Sequence, residues 1–159
     1  MSLNSAHPEE LKGPGITRIE PLPHPAMLWK AQLRVGVQHP RQADALLGAL
    51  SITSASVSTG GDYEHCFVHG GRRYHHVIDP RTGWPVEHTS SVTIMARTAL
   101  EADALDTALF VMPPERAMAK ARELGVAMLR TDPALHGEMT PAMRAVFEAR
   151  APMETPGLT

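Results

Sequence analysis

"DYEHCFVHGGRRYHHVI", Asp62 to Ile78, is the stretch on which the fold turns. Tyr63, Cys66, Phe67 and Val68 precede Gly70-Gly71, and Tyr74, Val77 and Ile78 follow it. Paired glycines adopt the positive backbone angles of a two-residue turn at no steric cost, so the segment is predicted to be a β-hairpin. Asp79-Pro80 ends the second arm, because proline has no amide proton to give a ladder.

Upstream of the hairpin, "SITSASVST" (Ser51 to Thr59) is β-branched and predicts a strand stopped by Gly60-Gly61. Before it, Ala43, Leu46, Leu47 and Leu50 recur at helical spacing behind Pro40, which predicts a short helix through Leu50. Leu28 to Val37 alternates, with Trp29, Ala31, Leu33, Val35 and Val37 on one face, and predicts a strand. Residues 1–25 are rich in Pro, Gly, Asn and His without periodicity and are expected to be a tail or linker.

Downstream, "SSVTIMA" (Ser90 to Ala96) predicts a strand. A helix follows, with Leu100, Ala104, Leu105, Ala108, Leu109 and Met112 on one face and Thr98 and Glu101 as a capping pair. Pro113-Pro114 breaks it, and Pro114 opens a second helix that ends at Gly125. "VAMLRT" predicts a strand, "DPALHGEMTP" a turn-rich link, and "MRAVFEA" fits either a strand or a helix. Interleaved strands and helices give an α+β class with a mixed, largely antiparallel sheet and packed helices. One domain is expected over 26–150, with a frayed tail over 151–159.

The bulk properties narrow the function. Hydrophobic residues make up 43% and charged residues 20%, as in a soluble globular domain. A net charge of −2, with basic residues scattered singly apart from Arg72-Arg73, argues against a nucleic-acid partner. Cys66 is the one cysteine, so no intrachain disulfide forms. No apolar run approaches the ~20 residues of a membrane span. The first residues show neither a signal layout nor a lipidated cysteine.

Four groups of residues can carry chemistry. In the loop Asp79 to Gly83, Arg81 offers a fork of donors, and Thr82 with the amides around Gly83 can line a phosphate-sized concavity. The same residues also make an ordinary turn with a solvated Arg81. His75 and His76 are neighbours on an extended arm, so one faces inward and the other outward. An imidazole is readily held near neutrality for proton transfer. Asp103 and Thr107 stand four apart on the predicted helix, one turn apart on one face, and two hard oxygens at that spacing suit Mg²⁺. A surface Asp beside a Thr bonded to its own backbone gives the same spacing. Asp106, three residues after Asp103, is expected to face away. His65, Cys66 and His69 allow a zinc module on the hairpin, against which stand the lone thiol and strand neighbours that point apart. A Ser-His-Asp triad is rejected, because no Gly-x-Ser-x-Gly elbow is present.

Taken in order, "VSTGGDYEHCFVHGGRRYHHVIDPRTGWPV", "SSVTIMA" and "EADALDTALFVM" resemble the carboxy-terminal half of the ApbE family, the FAD:protein FMN transferases. That family shows Thr-Ser-Gly-Asp-Tyr, a hairpin, His-x-Ile-Asp-Pro-Arg-Thr-Gly, a strand, and a helix with Ala-Asp-Ala-Leu-x-Thr-Ala-Leu-Phe. The resemblance runs from about Trp29 to Phe147 and implies a truncated ApbE-type, T-fold-like domain. It implies FAD as substrate, Mg²⁺ as cofactor and an acceptor protein whose threonine attacks the FMN-side phosphate, releasing AMP. By motif position, His76 matches the histidine that activates the threonine, and Asp103 and Thr107 match the metal ligands. Ile78, Asp79, Arg81, Thr82 and Gly83 match the stretch beside the flavin nucleotide.

Two departures qualify the match. Gly60 stands where the family has serine, and nothing here resembles the Lys-Gly-Tyr-x-x-Asp segment of the family's amino-terminal half. The resemblance therefore implies a truncated, split or decayed member, whose FAD pocket needs a partner chain or self-association. The alternative is a non-catalytic remnant or flavin-binding module. Family members are often exported to the periplasm, although this sequence shows no signal or lipidation motif.

Overall fold

The computed structural model describes residues 16–19 and 33–150. Its strands are β1 (Ile16–Ile19), β2 (Leu33–His39), β3 (Gln42–Ile52), β4 (Ser56–Gly61), β5 (Cys66–His69), β6 (Arg72–His75), β7 (Ile78–Asp79), β8 (Trp84–Pro85) and β9 (Ser91–Ala96). Helices α1 (Ala99–Val111) and α2 (Pro114–Glu123) follow, then β10 (Ala127–Thr131), β11 (Gly137–Met139), α3 (Pro141–Arg144) and β12 (Phe147–Ala149). One four-stranded sheet runs β1-β2-β3-β12 and a second runs β11-β10-β9-β4, with two short ribbons, β5-β6 and β7-β8. The α+β class holds, and every described pairing is antiparallel.

The second sheet is the middle of three layers, because its side chains alternate between two cores. Val92, Ile94 and Met128 point toward α1 and α2, joining Ala102, Leu109, Phe110 and Ala117. Ala127 and Leu129 point the other way, joining Val37, Leu50 and Ile52 of the first sheet and Met143 of α3. A strand buried on both faces reads as the unbroken run "VAMLRT" rather than as an alternation.

The hairpin forms as expected. Gly70 and Gly71 carry φ of 57° and 77°, and Cys66 pairs with His75 across the ladder. Strand β9, the α2 start at Pro114 and its stop at Gly125 (φ 68°) also fall where the residues place them. Thr98 caps α1, its hydroxyl accepting from the Glu101 amide at 3.2 Å.

Four expectations need correction. The helix over Pro40 to Leu50 is instead β3, paired to β2 through a turn at Pro40-Arg41. Its helix-like spacing comes from a bulge: Gly48 faces Val37 and Leu46 faces Gln38, so Leu47 is an extra residue that breaks the two-residue period. The strand expected over Ser51 to Thr59 is two strand ends separated by a bend, where Ser54 has φ 55°. The buried stripe of α1 is Ala102, Asp106, Leu109 and Phe110, with Leu100 left 79% exposed. Within the expected tail, Ile16–Ile19 pair with β2, while the rest of 1–25, residues 28–32 of the early strand and the tail 151–159 lie outside the described residues. The link after Asp132 contains β11, and the undecided "MRAVFEA" contains the end of α3 and β12.

Candidate active site

The ring pair at 75 and 76 separates as an extended arm requires. His75 is buried: its Nδ1 accepts from the Val77 amide at 3.3 Å and its Nε2 meets the Val86 carbonyl at 2.8 Å. Its ring also lies edge-on to Phe110 of α1, at 5.8 Å. With all its bonding spent inward, His75 pins the hairpin and the following loop to the helix layer. His76 is the exposed partner, and its ring meets that of His65 edge-on at 5.4 Å.

The loop Asp79 to Gly83 joins β7 to β8 as a tight turn, closed by Gly83 at φ 73°. The amides of Thr82 and Gly83 donate to the Asp79 carbonyl at 3.1 and 2.8 Å, and the Arg81 amide donates to its carboxylate at 2.9 Å. Arg81 folds back so that its Nε and a terminal nitrogen bond the same carboxylate at 2.9 and 2.7 Å. These bonds hold the Asp79 carboxyl down at about 2. The amides expected to line a concavity are thus spent inside the turn, and the exposed Arg81 and Thr82 side chains are also bonded within it, Thr82 Oγ1 accepting from the Trp84 amide at 3.2 Å. Ile78 is 43% exposed beside them.

This turn is braced from the hairpin. The Arg72 guanidinium sits 5.3 Å from the Tyr74 ring and 5.2 Å from the Trp84 ring, and it reaches Glu87 at 2.6 Å. From below, the buried Arg130 holds the following segment by bonding Thr89 Oγ1 at 3.1 Å and the His88 carbonyl. His88 is shifted down, chiefly by burial and then by Arg130.

Asp103 and Thr107 lie on the exposed side of α1, one turn apart, as their spacing requires. Asp106 faces away from that exposed side, as expected: it is 3% exposed and turns inward to β4. Its carboxylate accepts from the Ser58 hydroxyl and from Thr107 Oγ1, the latter at 3.0 Å. Burial pushes its carboxyl upward, and these hydroxyls oppose the shift. The polar Ser58 on the helix-facing side of β4 was the sequence signal for an inward acid on α1.

The two groups of candidates adjoin one core. Val77 and Val86, which flank the loop, pack in the same cluster as Leu109 and Phe110 of α1. Thr107 precedes Phe110 by about one turn and Asp103 by about two, or ~10 Å along the axis. The pair can take hard-oxygen metal chemistry: Mg²⁺ accepts one or two protein oxygens and completes its shell with phosphate oxygens and water. Among the described residues, no three His, Cys, Asp or Glu gather around a common point, which removes the support for a zinc module on the hairpin. Cys66 Sγ is engaged by Arg73 at 3.0 Å and by the Tyr63 carbonyl at 3.6 Å.

Residues 25–129 match the model of the ApbE family. The FAD:protein FMN transferase of Escherichia coli K12 is 44% identical over 97 residues, covering 60% of this chain and 28% of that protein. The FAD:protein FMN transferase of Haemophilus influenzae is 32% identical over 114 residues, covering 69% and 32%. The ApbE protein of Thermotoga maritima superposes with a TM-score of 0.68 at 32% identity, over 76% of this chain and 43% of that one. The apo flavinyl transferase ApbE of Pseudomonas stutzeri gives 0.59 at 31%, over 77% and 41%. The chain spans about three tenths of the length of these curated relatives. With the hairpin, the Asp-Pro-Arg-Thr-Gly turn and the acid-bearing helix arranged as described, and with the family model spanning most of the described residues, the chain belongs to the ApbE family.

Proposed function

We propose that this chain supplies the acceptor-activating and metal-binding part of an FAD:protein FMN transferase. The observation that carries this reading is the exposure of His76, Asp103 and Thr107 around one core, inside the span matched by the family. His76 accepts the proton of an acceptor threonine as its oxygen forms a bond to the FMN-side phosphorus of FAD. The bond from that phosphorus to the bridging oxygen breaks, and AMP leaves with the oxygen. Asp103 and Thr107 hold Mg²⁺, which when bound offsets the charge on the pyrophosphate oxygens. Ile78 offers an apolar contact to the flavin nucleotide, and Thr82 offers a hydroxyl. Arg81 binds phosphate by exchanging one of its bonds to Asp79, and Gly83 sets the turn. The remaining contacts to FAD come from protein outside these 159 residues or from a second copy.

The inward-turned amides of Arg81, Thr82 and Gly83 favour a second reading, a non-catalytic flavin-binding remnant. To separate the two, the chain is incubated with FAD, Mg²⁺ and an acceptor bearing a target threonine, with and without a protein supplying the other half of an ApbE enzyme. Flavin fluorescence on the denatured acceptor band, lost in His76→Ala, supports the transferase. An acceptor that stays dark in the complemented mixture supports the remnant.

A further inference from the structure

Asp106 has no part in the reaction scheme above, yet it is a carboxylate buried in the seam between α1 and β4. A buried carboxylate persists where hydrogen bonds compensate its lost water. Both compensating bonds here come from hydroxyls, one from Ser58 across the seam and one from Thr107 next along the helix. Gly60, the position where the family resemblance expects serine, lies beside the carboxylate, and a Cβ there would meet it in ordinary van der Waals contact. A Cβ at Gly60 would lie 3.4 Å from Asp106 Oδ1 and 3.8 Å from the Phe110 ring.

The bond to Thr107 has a directional consequence. A helical threonine commonly donates its hydroxyl proton to a backbone carbonyl one turn back, which aims the oxygen along its own helix. Thr107 instead donates inward, to Asp106 Oδ1, while its residue stays exposed. With the proton committed inward, the lone pairs of Oγ1 are turned to solvent, on the side that carries Asp103. We propose that Asp106 is a positioning residue that fixes the Thr107 hydroxyl as an outward-facing acceptor for a divalent cation. This role rests on reading Asp103 and Thr107 as the metal pair. Partners that orient a metal ligand typically change affinity by ~10–100-fold when removed.

The test is direct binding of Mn²⁺, used as a paramagnetic probe for the Mg²⁺ site, to the full chain complemented by a protein supplying the other half of an ApbE enzyme and in the presence of FAD, followed by electron paramagnetic resonance. Asp106→Ala is expected to weaken Mn²⁺ binding by ~10-fold or more. Asp106→Asn is expected to bind within about threefold of wild type, because its amide oxygen still accepts from Thr107. Thr107→Val is expected to match Asp106→Ala, and the double variant to be no weaker than Thr107→Val alone. Leu109→Ala, in the same core, lowers the melting temperature and leaves Mn²⁺ affinity in place, which separates positioning from loss of packing. If Asp106→Ala binds Mn²⁺ like wild type while Thr107→Val does not, the positioning role is overturned and the metal pair stands. If wild type binds no Mn²⁺ at all, the metal pair falls and the role of Asp106 falls with it.

Discussion

Three donors of Arg81 converge on the Asp79 carboxylate, and the consequence is measurable at a single atom. The carboxyl is lowered from its ordinary 3.8 to about 2. A depressed folded value means that the pair's contribution is complete above the ordinary value and is lost as the pH falls through the folded one. A carbon-detected NMR titration is therefore expected to find the Asp79 midpoint near 2, and Arg81→Ala should return it toward 3.8. An unchanged midpoint in that variant would mean that Arg81 does not hold the turn. At the proposed general base, His76→Ala should lower flavin transfer by ~10²–10⁴-fold, the usual range for a lost general base. Asp103→Ala should cost ~10²-fold in Mg²⁺-dependent transfer while leaving the melting temperature within a few degrees, because the residue is exposed. Equal turnover would remove Asp103 from the metal pair. What local spacing does not show at this scale is that Asp106 is buried. Its orientation depends on Ser58, 48 residues away, whose hydroxyl makes an inward acid tolerable.

Among the elements, those with local signals were legible and those shaped by partners were not. Gly70-Gly71, the Thr98 cap, Pro114 and Gly125 each act through backbone geometry that sequence neighbours determine, and each does what its chemistry requires. Thr98→Ala is expected to cost ~1 kcal/mol of stability, read by urea denaturation, through loss of the bond to the Glu101 amide. The bulge at Leu47 was invisible because it arises from pairing with β2, and it makes a strand imitate helical spacing. The stripe of α1 was misread because alanines and leucines occur on several sides, so periodicity alone could not choose the face that β4 and β9 cover. The β7-β8 ribbon is braced by Arg72 between two rings, and Arg72→Ala should loosen it. Faster amide exchange at Trp84 and Val86, with the core strands unchanged, would report that loosening; uniform exchange would contradict the brace.

At the scale of the molecule, the sheet β11-β10-β9-β4 carries a core on each face, with α1 and α2 packed on one side and the first sheet and α3 on the other. No helix among the described residues is long and apolar enough to cross a membrane. The α+β class followed from interleaved elements, whereas the division into two sheets did not, because the long-range pairing of β3 with β12 leaves no local trace. The family was legible from three ordered motifs, each weak alone, since their order carries the information that no single loop does. The proposed division of labour makes one demand of the whole chain: activity must follow the exposed imidazole and the helix acid once the rest of the FAD pocket is provided. The direct measurement is flavin fluorescence on an acceptor protein in the complemented mixture, comparing wild type with His76→Ala and Asp103→Ala at matched folded concentration. The account predicts a labelled acceptor with wild type and loss of the label in both variants; an acceptor labelled equally well by all three would contradict it.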